Sequence, residues 1–264
     1  MTADADPRPS GSPGRRRALL AATEPARTLA TAGSMAALLP LLRWAPRGEP
    51  HPVLVLPGLM ASDLSTRILR AWLSRLGHPV VGWALGRNRG PTKEVVSELP
   101  QLVDRLAREH RTSVSVVGWS LGGIYARRLA RRAPRQVRQV ISLGSPFALA
   151  DRDAGPGGRV YRRLAPVHSS GRISASRASL DRPLPVPSTA VYSKWDGVVD
   201  WRHCRQQSGP TSENVAVHSS HLGMGHDPAV LWVVADRLAL PRSEWRPFER
   251  PARFGLGRLF PAED

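Results

Sequence analysis

The 264-residue chain contains one cysteine, Cys204, and only two lysines, Lys93 and Lys194. A single cysteine excludes an internal disulfide and any zinc site built from several thiolates. Long apolar runs are missing too. The stretch Leu29–Leu42 is interrupted by Gly33, Ser34 and Pro40, and it falls short of the ~20 residues a membrane-spanning helix needs. A secretory leader is poorly supported: Arg15-Arg16-Arg17 precedes Ala18-Leu19-Leu20, but Glu24, Pro25 and Arg27 cut the apolar run at once. The chain is therefore expected to be cytoplasmic. No His, Asp or Glu grouping has the spacing of a metal motif such as H-E-x-x-H, and no metal or organic cofactor is expected.

What is abundant is arginine. Lys plus Arg number 38 against 21 Asp plus Glu, a formal net charge of +17, and 36 of the 38 are arginine. Nucleic acid or an acidic lipid surface would suit such a charge. The arginines are scattered from Arg8 to Arg258, however. Their densest sets, Arg15-Arg16-Arg17 and Arg127, Arg128, Arg131, Arg132, are not interleaved with aromatics that stack on bases. The bias reads as the compositional habit of a GC-rich genome, so no nucleic-acid partner is expected. Peripheral membrane contact through an N-terminal amphipathic helix is the lesser alternative. A hydrophobic fraction of 41% with 22% charged residues is that of a globular protein.

Residues 1–14 are rich in Pro, Gly, Ser and Asp without apolar periodicity, and residues 1–23 are expected to form a disordered tail. Residues 24–264 are expected to form one domain. Within it, short apolar runs alternate with helical spacing. Val53–Leu56, Val80–Trp83, Val114–Val117, Val137–Leu143, Thr189–Tyr192 and Val215–Val217 read as strands. Ser65–Leu76, Val95–Arg108, Leu121–Ala133 and Pro228–Leu240 read as helices. Strands apolar on both faces, alternating with helices, imply a parallel sheet covered on both sides. Residues 147–185 break the rhythm with Gly155-Pro156-Gly157-Gly158 and Pro183-Leu184-Pro185. They are expected to be a lid-like insertion.

The strongest chemical signal is Gly118-Trp119-Ser120-Leu121-Gly122-Gly123, set between a strand and a helix. A serine on so tight a turn takes strained dihedrals, so neighbours without a β-carbon are required. The turn exposes the Ser120 hydroxyl and aims the Leu121 N–H into the same cavity. A serine nucleophile needs a base, an acid to orient it, and donors for the oxyanion. In this topology the order is Ser, then Asp or Glu, then His. Asp196 follows a strand end and precedes Gly197, so it is favoured as the acid, with Asp200 the competitor. Of His218, His221 and His226, His221 lies in a glycine-containing loop just before the last helix and is favoured as the base. The turn Pro57-Gly58-Leu59-Met60 supplies the second oxyanion donor, the N–H of Leu59, with Met60 as the register alternative.

These elements in this order resemble the α/β-hydrolase superfamily. Four longer strings narrow the likeness: Leu54–Ser65 (LVLPGLMASDLS), Gly82–Gly90 (GWALGRNRG), Val191–Val199 (VYSKWDGVV) and Ser220–Leu240 (SHLGMGHDPAVLWVVADRLAL). They are similar to bacterial esterase- and lipase-like serine hydrolases over residues 24–248. The resemblance implies the α/β-hydrolase fold, a mostly parallel sheet with helices on both faces. It also implies hydrolysis of small-molecule or lipid carboxylic esters through an acyl-enzyme on Ser120, His221 and Asp196. The chain departs from the family in carrying Pro57-Gly58 where His-Gly is more familiar, and it shows little likeness across 147–185. The alternatives are acyl transfer or thioester cleavage on the same triad, or a non-catalytic basic binding protein on a hydrolase scaffold.

Overall fold

Six apolar runs assemble into one sheet. A computed structural model describes residues 13–148 and 181–262. Its strands are β1 (Val53–Leu56), β2 (Val80–Gly82), β3 (Val114–Trp119), β4 (Val137–Leu143), β5 (Ser188–Tyr192) and β6 (Ser212–Ala216). They pair in the order β2-β1-β3-β4-β5-β6, and every pairing is parallel. Every residue of β1, β3 and β5 is buried, as a parallel sheet covered on both faces requires. The described helices are α1 (Pro13–Ala22), α2 (Glu24–Leu42), α3 (Arg67–Arg75), α4 (Lys93–Glu109), α5 (Leu121–Arg132) and α6 (Pro228–Ala239).

Alternate strand residues divide between two cores, following the two-residue repeat of a strand. Val53, Val55, Val117, Trp119, Ile141 and Leu143 pack with Leu69, Trp72 and Leu73 of α3 and with the apolar face of α6. Leu54, Leu56, Val116 and Val140 face the other way, against α4 and α5. This is the α/β-hydrolase fold that the sequence implies. From β1 the chain runs outward to β2, then crosses back to place β3 on the other side of β1. At such a reversal the loops leaving two neighbouring strands diverge and open a crevice at the carboxyl edge, where ligands of open α/β sheets bind.

Two expectations shift, and a third falls outside the described residues. The tail expected over residues 1–23 is helical from Pro13 to Ala22, because Arg15 to Ala22 are strong helix formers. Its last carbonyls are also occupied: Leu19 O accepts from Thr23 N at 3.0 Å and from Thr23 Oγ1 at 2.8 Å. Strand β6 starts at Ser212, earlier than its apolar residues suggest, since Glu213 and Asn214 find partners in Arg237 and Gln206. The lid assignment for 147–185 falls largely on residues 149–180, which lie outside the described residues.

The arginines are not all on the surface. Arg127, a member of one of the densest arginine sets in the sequence, is fully buried. Its guanidinium donates to Gln206 Oε1 at 2.6 Å and to Arg182 O at 2.8 Å, and it lies 4.2 Å from the Phe147 ring centroid. Burial, and then the like charge of Arg131, pull its pKa down to about 9, which keeps it charged at neutral pH.

Arg237 of α6 is 1% exposed. It donates to Glu213 Oε1 at 2.8 Å, to Asp236 Oδ2 from Nε at 3.0 Å and also from Nη2, and to Arg246 O at 2.6 Å. Removing one partner of a buried ion network leaves uncompensated charge, at a cost of about 3–5 kcal/mol. Arg237→Met is therefore expected to lower the urea-unfolding free energy by about that much. Arg242→Met, on the exposed surface, should stay within about 0.5 kcal/mol.

Candidate active site

Strand β3 hands directly into α5 through Ser120, whose φ of 53° and ψ of −118° lie outside the regions ordinary residues prefer. Such a conformation costs about 1–3 kcal/mol and persists only where the surroundings enforce it. Here Ser120 N donates to Leu143 O at 2.8 Å, and Ser120 O accepts from Gly123 N at 3.0 Å. The flanking glycines are sterically required. A β-carbon on Gly118 would collide with the backbone of Gly122 and Gly123, and one on Gly122 with the carbonyls of Leu56 and Pro57.

The turn after β1 lies against this elbow: a β-carbon on Gly58 would sit 3.2 Å from Ser120 Cβ. It is held by Asn88, a fully buried residue to which the sequence assigned no role. Asn88 Nδ2 donates to Pro57 O at 2.9 Å, its N–H donates to Ala61 O at 2.8 Å, and its carbonyl accepts from Met60 N at 2.7 Å. Oδ1 accepts from Gly90 N at 3.2 Å and from the Tyr125 hydroxyl at 3.3 Å. The Met60 N–H, the register alternative for an oxyanion donor, is thus occupied. Among the described residues the N–H groups of Leu59 and Leu121 have no hydrogen-bond acceptor.

The acid and base candidates meet. Asp196, in the loop after β5, accepts from Val198 N at 2.8 Å and Val199 N at 2.7 Å through Oδ1, and its Oδ2 lies 2.6 Å from His221 Nδ1. Both side chains are buried. With the carboxylate as acceptor, Nδ1 carries the ring proton and the Nε2 lone pair is left to accept another. Burial works against the imidazolium, but the charge and hydrogen bond of Asp196, and then the charge of Glu24, outweigh it. The His221 pKa is raised above the ordinary imidazole value.

The two loops are tied at other points. Ser193 Oγ accepts from Trp195 N at 3.0 Å and Ser219 N at 3.2 Å, and the Trp119 indole donates to His221 O at 3.1 Å. Between elbow and base lies Gly144, at φ +53°, where a β-carbon would be 3.2 Å from His221 Nδ1. Among the described residues no hydrogen bond joins Ser120 Oγ to His221. Such contacts often tighten only when substrate is bound.

The competing residues are engaged elsewhere. Asp200 caps the short 3-10 helix Trp201–Cys204, its Oδ1 accepting from Arg202 N at 3.0 Å. His218 lies edge-on to Trp195, and His226 Nε2 is 3.4 Å from Thr28 O. A second residue without a sequence signal is Glu24, 3% exposed and aimed at both loops. Its only hint is isolation, as the sole acidic residue between Asp6 and Glu49.

Comparison with solved structures finds the same fold in lipases and esterases. A Bacillus licheniformis lipase in mature form aligns with a TM-score of 0.55 at 14% identity, over 73% of this chain and 93% of that one. Aspergillus fumigatus lipase B gives 0.53 at 18% identity over 81% of this chain, which spans 58% of the lipase. A Pyrococcus furiosus esterase gives 0.51 at 15% identity, over 67% and 76%. At such identities the likeness is one of fold. Comparison of the sequence with curated proteins found no match. The family model described as "Putative esterase" matches residues 88–220, half of the chain, a span that includes Ser120 and Asp196 and stops one residue before His221. By the extent of that match the chain belongs to this esterase family, a carboxylic ester hydrolase on the α/β-hydrolase fold.

Proposed function

We propose that the protein cleaves carboxylic esters through an acyl-enzyme on Ser120, with His221 as general base and Asp196 as its orienting acid. The observation that carries this reading is the buried 2.6 Å contact between Asp196 and His221 on loops at the same sheet edge as the strained elbow. Ser120 Oγ attacks the ester carbonyl carbon while its proton passes to His221 Nε2. The oxyanion of the tetrahedral intermediate lies against the N–H groups of Leu59 and Leu121, single donors of this kind being worth roughly 3 kcal/mol. Collapse breaks the bond to the alcohol oxygen, which leaves with the proton from His221. A water, deprotonated by the same nitrogen, then attacks the acyl carbon, and the acid departs as Ser120 regains its proton. Met60 and Leu222 are 42% and 46% exposed although apolar. They directly follow an oxyanion donor and the base, and they support an ester with an apolar chain.

The test combines labelling with kinetics. A fluorophosphonate is expected to modify the peptide carrying Ser120 and no other serine. Hydrolysis of p-nitrophenyl esters should quicken from acetate to longer acyl chains. Because His221 must be neutral to take the proton and its pKa is raised, kcat/KM should climb with pH along a limb above the ordinary imidazole range. Labelling at another serine, or turnover flat with pH from 5 to 9 (about the span over which imidazoles titrate), would overturn the reading.

A further inference from the structure

We propose that Glu24, the first residue of α2, is a positioning residue for the triad: one buried carboxylate sets the acid loop and the base loop against each other. Its Oε2 accepts from Gly197 N at 3.1 Å and its Oε1 from Leu222 N at 2.8 Å. Gly197 and Leu222 are the residues immediately after Asp196 and His221. A single rigid group therefore grips the chain one residue beyond each member of the Asp–His pair. The inference rests on the triad reading given above.

Several features separate this from an ordinary helix-terminal glutamate. A carboxylate at a helix N-terminus is favoured by the helix dipole and serves its own first turn. Glu24 instead directs both oxygens at backbone donors 173 and 198 residues away. Charge-assisted bonds to N–H groups are about twice as strong as neutral ones, and the buried charge is compensated by Arg27, whose Nη2 lies 2.7 Å from Oε2. Arg27 also donates to Trp195 O on the acid loop. One turn further along, Thr28 Oγ1 meets Ser220 Oγ at 3.1 Å, so the start of α2 seats on both loops.

The placement matters because productive geometry tolerates only about 0.5 Å of error. Glu24 acts on the base through charge as well, adding to Asp196 in favouring the imidazolium. Several other charged or titratable groups on the elements packed here are turned to other partners. Arg27 faces Glu24, Arg17 of α1 lies 3.9 Å from Asp200, and His218 and His226 turn to Trp195 and Thr28.

The experiment compares Glu24→Gln, Glu24→Asp and Ser120→Ala in the full chain on p-nitrophenyl butyrate. Active sites are counted by fluorophosphonate titration carried to completion. In Glu24→Gln the amide presents a donor to one of the two N–H groups and the anion is gone. Per titrated site kcat is expected to fall roughly 10- to 100-fold with KM little changed, and the acidic limb of kcat/KM should move to lower pH. Glu24→Asp keeps the charge but is too short to span both N–H groups. Its limb should stay in place while kcat still falls. A wild-type kcat per site together with a wild-type limb in Glu24→Gln would overturn the proposal, as would a loss explained entirely by fewer titratable sites. If Glu24→Gln does not fold, Glu24→Asp decides, and a wild-type kcat there overturns it. Turnover surviving in Ser120→Ala would remove the triad reading itself. An inactive Ser120→Ala beside wild-type Glu24 variants removes only the role of Glu24.

Discussion

Ser120→Ala is expected to lower ester turnover by at least about 10⁴-fold while leaving the fold intact. Among the described residues, the neighbouring serine hydroxyls are engaged elsewhere. Ser145 is buried, its Oγ 3.4 Å from Gly118 O and 3.3 Å from Leu143 O. Ser219 Oγ donates to Ser220 O at 3.1 Å, and Ser220 Oγ accepts from Gly223 N at 3.1 Å. Alanine keeps the β-carbon that makes φ +53° unfavourable, so the strain at the elbow is neither relieved nor worsened. Circular dichroism melting should match the wild type, and initial rates with p-nitrophenyl esters should approach the uncatalysed background. Residual turnover above about one hundredth of wild type, a change of only ~2.7 kcal/mol in the barrier, would place the chemistry elsewhere.

Asp196→Asn is the second large effect, on the order of 10⁴-fold in kcat, and its cause is a proton on the wrong nitrogen. In the native loop, Oδ1 accepts two N–H groups, from Val198 and Val199, and Oδ2 faces His221 Nδ1. Asparagine has one acceptor oxygen, and the two N–H groups claim it. The amide NH₂ is then turned towards His221, which can answer only by presenting Nδ1 as an acceptor. The ring proton moves to Nε2, the atom that must receive the proton of Ser120. The loop keeps its backbone bonds, so urea unfolding should change little while kcat collapses. Asp200→Asn gives the contrast. Asp200 caps a 3-10 helix, an asparagine caps nearly as well, and turnover should stay within about twofold. Comparable losses in both variants would mean that the acid has been assigned to the wrong carboxylate.

The residues behind these two effects carry local sequence signals, and that is why they can be read there. An elbow demands glycines at fixed offsets from its serine, and Gly118 and Gly122 would otherwise collide with backbone. The acid and base sit at the ends of apolar strands, and strand runs are conspicuous. What escaped reading is of another kind. Asn88 and Glu24 act on backbone N–H and C=O groups, which every residue carries and no side chain advertises. Glu24 also looks like an interruption of an apolar run until Gly197 and Leu222 are brought to it. The start of strand β6 is hidden because Glu213 is polar, and the groups that receive its carboxylate, Thr189 Oγ1, the Arg237 guanidinium and Phe248 N, come from other parts of the chain. Arg127 belongs to a set spaced like a solvated face. The Gln206 and Phe147 that receive it come from distant parts of the chain. Long-range partnership of polar groups is what apolar periodicity does not record.

The reach of Glu24 also bears on the order in which the molecule is made. Chains are synthesised from the N-terminus, so α1 and α2 leave the ribosome before the strands and loops that follow them. Leu222, one of the two backbone donors to Glu24, is 198 residues further on. Until those residues are made, the loops that the carboxylate joins do not exist. Elbow and loops therefore come into register with Glu24 only once Leu222 has emerged, and until then Ser120 stands apart from the residues proposed to activate it.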